Sequence, residues 1–301
     1  MNAIEAMQAE IECQVHDSQK QNLQPPDRNC LFVGSGDSYV AGLAAQYFSG
    51  SRAICCYPVD IIQNPSLADG RNVYFVSISG RTKANILAAK IAKRNGARTI
   101  AITARPASPL ARACDRTIEL KYKSAGVTTA GTISFTSSML ACISLAEKIQ
   151  LPDLGRIYRH AASQAENAAR KIRKGSYFIL GDGVLYPVAV YGALKFNEVF
   201  GARAVAYPAE EFCHSPLFSV KKGDHVIVME RGGEQLSRRL VKEGFSSVHV
   251  GFKSAGIGLL LQSTFFMQLL MLKLAQKRGL SSCYYLKNKK LLRASSDFIY
   301  D

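Results

Sequence analysis

The stretch Phe75-Val76-Ser77-Ile78-Ser79-Gly80-Arg81-Thr82 decides how this chain is read. The apolar run 73–76 leads into it, and an Ala/Ile/Leu-rich helical pattern over 84–94 leads out. A strand that ends in Ser-x-Ser-Gly-x-Thr at the first turn of a helix is suited to hold an oxyanion. The helix start offers backbone N–H groups without intrahelical acceptors and the positive end of the helix dipole, and three hydroxyls stand around it. The same residue types also suit a serine-rich N-cap that merely closes a strand-to-helix turn. The rest of the chain has to decide between the two.

Upstream, 2–23 reads as a helix with Ile4, Met7, Ile11 and Val15 on one face, closed by Pro25-Pro26-Asp27. A buried strand over Cys30 to Val33 runs into the turn Gly34-Ser35-Gly36-Asp37-Ser38-Tyr39 and a small-residue helix over 40–48. Strands are expected at 53–59, 99–103 and 116–120, helices at 109–114 and 134–149, and a Gly/Thr loop over 123–132. This alternation specifies a parallel sheet covered on both faces. After an alanine- and charge-rich helical stretch the pattern starts again: Tyr177 to Gly183 (YFILGDG) repeats Cys30 to Gly36 (CLFVGSG). Helices at 187–200, 233–243 and 259–277, with strands at 202–207, 225–229 and 247–250, complete a second α/β unit. Its counterpart of the serine loop is Met229-Glu230-Arg231-Gly232-Gly233, which keeps the turn and loses the hydroxyls. Only the first unit is equipped for phosphate.

Composition narrows the function classes. With 48% hydrophobic and 20% charged residues, the 301-residue chain has the balance of a soluble globular protein. The net charge of +15 is spread thinly and is not interleaved with aromatics, which argues against a nucleic-acid surface; a diffuse positive field suits anionic small substrates. Eight cysteines without a Cys-x-x-Cys read as reduced thiols, neither a disulfide framework nor a metal site. The acidic, amphipathic start is no signal peptide. The apolar run 257–272, interrupted by Gln262, Ser263, Thr264 and Gln268, reads as a core helix and not a membrane span. The expectation is a cytoplasmic protein that binds neither membrane nor nucleic acid. A dinucleotide fingerprint fails because Tyr39 stands where the third glycine belongs, and no nucleotide P-loop occurs.

Four motifs in order, Gly36 to Tyr39, Ser77 to Thr82, Gly192 to Glu198 and Glu211 to Leu217, resemble a double sugar-isomerase (SIS) domain protein. The likeness is greatest to the isomerase half of glucosamine-6-phosphate synthase and its stand-alone phosphosugar isomerase and deaminase relatives, and it includes the Met7 to Ile11 segment of the N-terminal helix. It implies two SIS subdomains, each a parallel sheet flanked by helices in a flavodoxin- or Rossmann-like three-layer sandwich. The expected organisation is an N-terminal helix (1–29), a phosphate-binding SIS domain (30–150), a helical connector (151–173), a second SIS domain (174–280) and a C-terminal tail (281–301) that closes the active site.

By the same resemblance Ser38, Ser77, Ser79 and Thr82, with Gly36, Ile78 and Gly80 supplying neighbouring backbone, would hold a sugar phosphate, and Thr132 would line the sugar pocket. Lys195 and Glu198, three apart on one helix face, would be catalytic, with Glu198 moving a proton between C1 and C2 of the open-chain sugar. His214 would assist ring opening; in the family it is often donated by the partner subunit, so a homodimer is expected. Each has a plainer reading: a solvated ion pair for Lys195 and Glu198, a hydrogen-bonded core residue for His214. Glu211 is expected to orient structure.

Departures from the family pattern bear on the reaction. Asn2 stands where the synthase's glutaminase begins with cysteine, and Ser295 stands where its tail lysine forms a Schiff base. The chain is therefore not expected to take ammonia from glutamine unaided. Arg81 and Ile78 replace more usual acidic and polar residues, and Asp37 replaces a common threonine. The expectation is a cofactor-free aldose–ketose isomerase of a hexose 6-phosphate. An amino-sugar phosphate deaminase or ammonia-dependent glucosamine-6-phosphate-forming enzyme is the close alternative, and a non-catalytic phosphosugar sensor is the alternative of another class.

Overall fold

Two parallel sheets organise the chain in a computed structural model that describes every residue except Asp17, Ser18, Arg231 and Asp301. In chain order, α1 (Ala3–Cys13) precedes β1 (Cys30–Val33), α2 (Asp37–Phe48), β2 (Ile54–Cys56), α3 (Pro58–Gln63), β3 (Asn72–Val76) and α4 (Lys83–Arg94). β4 (Arg98–Thr103), α5 (Pro109–Ala113), β5 (Arg116–Glu119), α6 (Ile133–Ala146) and α7 (Leu154–Lys171) follow. Then come β6 (Tyr177–Leu180), α8 (Tyr186–Phe200), β7 (Ala204–Tyr207), α9 (Ala209–His214), β8 (His225–Val228), α10 (Glu234–Lys242) and β9 (Ser246–His249). The chain ends with α11 (Gly256–Lys277), α12 (Tyr284–Lys287) and α13 (Lys289–Tyr300).

The elements divide into two compact units. One comprises Asp17–Lys123, Ile133–Gln150 and Lys289–Asp301 and holds the five-stranded sheet, order β2-β1-β3-β4-β5, all parallel. β1 and β3 are buried on both faces, which is why they read as unbroken apolar runs. Val33 pairs with Phe75, and Val76 with Ile102, so the loops that leave β1 and β3 emerge at one edge. Leu31, Val33, Val73 and Phe75 pack with Ala88, Ala89 and Ala92 of α4, whose small side chains bring that helix close to the sheet.

The other unit comprises Met1–His16, Ser124–Thr132 and Leu151–Asn288 and holds the four-stranded sheet, order β7-β6-β8-β9, also parallel. Phe178, Leu180, Val226 and Val228 form its core with Phe212 and Leu240. The 22-residue α11 is long and apolar enough by composition to cross a bilayer, yet most of it lies buried, as a core helix should. Each unit is a parallel sheet flanked by helices, the α/β three-layer architecture.

Three differences from the sequence reading have local causes. The strand expected at 53–59 ends at Cys56 because Pro58 has no N–H to donate and a φ already suited to the first turn of α3. The Asp60 carboxylate then caps the turn, accepting from the Tyr57 N–H at 2.7 Å. The helix expected over 2–23 stops at Cys13, and only Lys20–Asn22 forms a further turn; residues 17 and 18 lie outside the described residues. There the Asn22 side chain donates to the Lys121 carbonyl and accepts from its N–H, both at 2.8 Å, and this distant partner replaces helical continuation. The tail, for which the sequence pattern predicts no element, forms α12 and α13. All eight cysteines are free thiols; Cys30, Cys114, Cys142 and Cys283 are buried, and Cys213 is exposed. Burial pushes the Cys30 and Cys114 thiols up to about 12, the range of inert thiols.

Two stability measurements test this account. A Cβ at Gly34 would lie 2.8 Å from the Ser38 carbonyl carbon and 2.9 Å from the Tyr39 nitrogen, backbone atoms that cannot rotate away. Gly34→Ala should cost about 1–3 kcal/mol in urea unfolding; an unchanged midpoint would refute the close approach of β1 to α2. Asp115 accepts from Lys93 at 2.7 Å and from the Thr99 N–H and hydroxyl at 2.9 and 2.8 Å, which lowers its carboxyl to about 2. A folded value below the unfolded one stabilises above the unfolded value near 4, and that contribution is lost as pH falls toward 2. With solvent screening at this partly exposed site, Asp115→Asn should cost about 1 kcal/mol at pH 7, and most of that deficit should be gone at pH 2. A constant deficit across that range would contradict the assignment.

Candidate functional site

The five-stranded sheet has its topological switch point between β1 and β3, because the chain leaves β1 toward β2 on one side and returns to β3 on the other. Open parallel sheets form a crevice outside the C-terminal strand ends at that point. The two loops there are Gly34–Gly36 and Ser77–Thr82, the segments singled out from sequence. Each feeds a helix whose N-terminus has no side-chain cap: α2 after Gly36 and α4 after Thr82. That outcome weighs against the plain N-cap reading, since the loop hydroxyls bond within the loop. Ser77 Oγ, buried, accepts from the Gly80 N–H at 3.2 Å and lies 3.4 Å from Thr82 Oγ1. Ser79 Oγ accepts from the Arg81 N–H at 3.3 Å.

The loop is held from three sides. Ile78 gives its carbonyl to the Ala104 N–H at 3.2 Å and to the Thr103 hydroxyl at 3.1 Å. The Leu110 N–H donates to the Gly80 carbonyl at 3.0 Å, and Asn85 Nδ2 donates to the Val76 carbonyl at 2.9 Å. Gly80 has φ +61°, and a Cβ there would overlap the Ser108 side chain, so only glycine serves. Ser38, half-buried in the first turn of α2, anchors its backbone N–H on the Ser35 carbonyl at 3.2 Å. Arg81 is exposed, its guanidinium 5.8 Å from the Tyr300 ring centre, and Lys83 Nζ donates to the Asp297 carbonyl at 3.4 Å, so α13 rests on the start of α4. Hydroxyls, two helix starts without side-chain caps and a peripheral cation are groups of the kind that can hold an anion.

The corresponding edge of the four-stranded sheet carries carboxyls. Asp182 accepts from the Ala209 N–H at 2.9 Å, and burial, then the nearby Asp182, raises the Glu230 carboxyl above its ordinary value. Arg231, the next residue of that loop, lies outside the described residues.

In the same unit α8 places Lys195 and Glu198 on one face, with Lys195 Nζ donating to Glu198 Oε2 at 2.6 Å. The Lys195 side chain is 2% exposed and that of Glu198 34%, so the solvated ion pair of the plainer reading is not what forms. The ammonium also lies 5.2 Å from the Tyr191 ring centre, and Tyr191 donates its hydroxyl to the Gly131 carbonyl at 2.7 Å. The Gly/Thr loop and the lysine–glutamate pair thus share Tyr191. Thr132 is buried and donates to Glu10 Oε2 at 2.8 Å, while Gln268 Nε2 donates to its carbonyl at 3.2 Å. Glu10 Oε1 accepts from the Ser124 hydroxyl at 3.3 Å and the Ala125 N–H at 3.2 Å, so one carboxylate of α1 organises the loop.

His214 ends α9 with its side chain 70% exposed, and Nε2 lies 3.8 Å from Glu210 Oε1. It is not a core histidine, and Glu211 beside it is exposed as well. Sequence reasoning did not identify Glu10, Tyr191 or Asn85. Glu10 left a signal, a carboxylate one residue before Ile11 on the otherwise apolar face of α1; Tyr191 and Asn85 left none beyond helical position.

The SIS domain model matches residues 26–148 and 172–243. The chain is 32% identical over 217 residues to the glutamine–fructose-6-phosphate aminotransferase [isomerizing] of Sulfurisphaera tokodaii, covering 67% of this chain and 36% of that protein. It therefore spans about a third of the length of the curated relatives it matches. The crystal structure of Thermotoga maritima glucosamine-6-phosphate deaminase superposes with a TM-score of 0.72 at 23% identity, over 92% of this chain and 96% of that one. The C-terminal domain of glucosamine-fructose-6-phosphate aminotransferase from Francisella tularensis superposes with a TM-score of 0.69 at 21% identity, over 93% and 97%. At those identities the two structures speak for the fold. With a family model matched over well more than half of the sequence, on two sheets of corresponding order, the chain belongs to the SIS domain family.

Proposed function

We propose that the chain is an aldose–ketose isomerase of a hexose 6-phosphate that works without a cofactor. The observation that carries this reading is the α8 pair. A buried ammonium holds a carboxylate whose side chain stays one-third exposed, which fixes the carboxylate without sealing it from a substrate. In the proposed step Glu198 takes the C2 proton of the open-chain aldose. It returns a proton to C1 while the O2 hydroxyl proton passes to O1, which leaves the ketose. Lys195 positions the carboxylate. The Ser77–Thr82 loop with Ser38 and Gly36 is assigned to the phosphate, which hydroxyls and helix-start N–H groups bind without a resident metal.

His214 is assigned to ring opening. Its exposure at the end of α9 supports donation to a substrate held by a second copy of the chain, so the reading includes a homodimer. The amination reading is favoured by one observation, the aminotransferase relatives at 32% identity, and is weakened by Ser295 in place of the family lysine. The reading includes a cytoplasmic setting.

Proton NMR of fructose 6-phosphate in D2O is the primary test. Deuterium should enter at C1 and C2 without ammonium, and Glu198→Gln should lower that rate by about 10²–10⁴-fold. A glucosamine 6-phosphate signal that appears only with ammonium would replace this reading by the aminating one. Binding without exchange would make the chain a sensor. Ser79→Ala should raise KM about ten- to a hundredfold with a smaller change in kcat. Mixing Glu198→Gln with His214→Asn should restore about a quarter of the activity if sites are shared in a dimer. No recovery would rule out donation of His214 across subunits.

A further inference from the structure

A second place in the four-stranded unit has the makings of an anion site and takes no part in the reading above. At the N-terminal edge of that sheet lies a cavity of about 450 Å³, within the size range of small-molecule sites. Lys174, Tyr177, Phe200, Arg278, Tyr284 and Lys287 line it. Lys174 stands just before β6, and Phe200 ends α8 just before β7, so the cavity faces away from the strand ends that carry Asp182 and Glu230. No aspartate or glutamate lines it, and among the described residues no ion pair involves Lys174, Arg278 or Lys287.

Arg278 is the built element. Its guanidinium carbon sits 4.3 Å from the Phe200 ring centre, and Nη2 donates to the Arg173 carbonyl at 3.1 Å and to Tyr177 Oη at 2.9 Å. Tyr177 is buried, gives its own proton to the Arg173 carbonyl at 2.6 Å, and stacks on Phe196 at 3.9 Å. These acceptors are neutral, so they fix the plane of the fork and leave its charge uncompensated. The hydrogens on Nε and Nη1 have no acceptor among the described residues. Tyr284 is seated against Gly201, which has φ +61° and where any Cβ would run into the tyrosine ring. That contact fixes α12, and with it Lys287, at the end of α8.

The surroundings register the positive charge without cancelling it. His225, 5.6 Å from the Tyr177 ring, accepts the Arg173 N–H at Nε2 (3.2 Å), so its proton sits on Nδ1, toward Ser246 Oγ at 2.8 Å. Burial first, then the charges of Arg173 and Arg278, lower its pKa against the opposing pull of Asp224. Asp224 is occupied by the N–H groups of Ser176 and Lys221, at 3.3 and 2.9 Å.

We propose that the Arg278 cavity binds a phosphorylated small molecule, with Arg278, Lys174 and Lys287 on its phosphate. A pre-oriented guanidinium in a cavity with two further cations and no acid is matched by a multiply charged oxyanion, and the aromatic walls leave room for an organic portion. The proposal stands whether or not the chain isomerises a sugar.

Calorimetric titration of the full chain with inorganic pyrophosphate at 150 mM salt tests it. Saturable binding is expected; Arg278→Met should weaken it at least tenfold and Lys287→Ala about three- to tenfold. Lys242→Ala, an exposed charge elsewhere, should leave this affinity unchanged. Because Arg278→Met also removes bonds to the backbone, the exposed Lys287 supplies a variant that does not disturb folding. Absence of binding, or indifference to both cavity variants, would overturn the proposal. So would a loss on Lys242→Ala as large as that on Lys287→Ala, which would mark diffuse attraction to a basic protein.

Discussion

The order in which parallel strands are laid down decides where chemistry can sit in this chain. A strand-helix-strand crossover has one preferred hand, so a sheet that grows first to one side of β1 and then to the other must leave a gap between two helices at the strand ends. Nothing in the gap can be satisfied by the sheet, whose hydrogen bonds end there. Loop hydroxyls, helix-start N–H groups and glycine backbone collect at it because those are the groups a terminating strand and a starting helix present. The same order in the second sheet makes the same gap, and there the chain has put carboxyls. Identical topology thus supports opposite electrostatics, and the difference lies in three or four side chains.

A second constraint acts inside α8. An ammonium buried to the extent of Lys195 is strongly unfavourable without a partner, and Glu198 is that partner at 2.6 Å. The strength of the pair fixes the carboxylate's position, and the carboxylate side chain stays one-third exposed. Glu10 shows the complementary arrangement: a carboxylate buried to serve backbone and hydroxyl donors of the Gly/Thr loop, with its capacity spent on structure. Two carboxylates of the same unit therefore differ in kind because of what surrounds them.

Much of the fold was legible. The apolar runs of β1 and β3, the small-residue helices after them and the repetition of YFILGDG after CLFVGSG were enough to expect two parallel α/β units. The elements that escaped were short or set by distant contacts. Pro58 turned a strand into a helix start, and Asn22 exchanged helical bonds for Lys121 a hundred residues away. At the candidate site, the serine loop at the strand-to-helix turn was readable, because local sequence determines which groups such a turn presents; that its hydroxyls leave the helix start uncapped was not, because a serine-rich N-cap uses the same residue types. His214 was readable as a residue and not as an exposed one, since an apolar neighbourhood in sequence says nothing about which side of α9 faces solvent.

By itself the sequence determined the period of each element, the loops between them and the residue types those loops carry, since these depend on neighbours within a few positions along the chain. The tertiary structure alone decided that Lys195 is buried, that Thr132 is bound to Glu10 and that Arg278 is stacked on Phe200 beside two further cations. Burial and partnership join residues that are far apart in sequence, and the free energy of a charged or polar group depends on those partners far more than on its own identity.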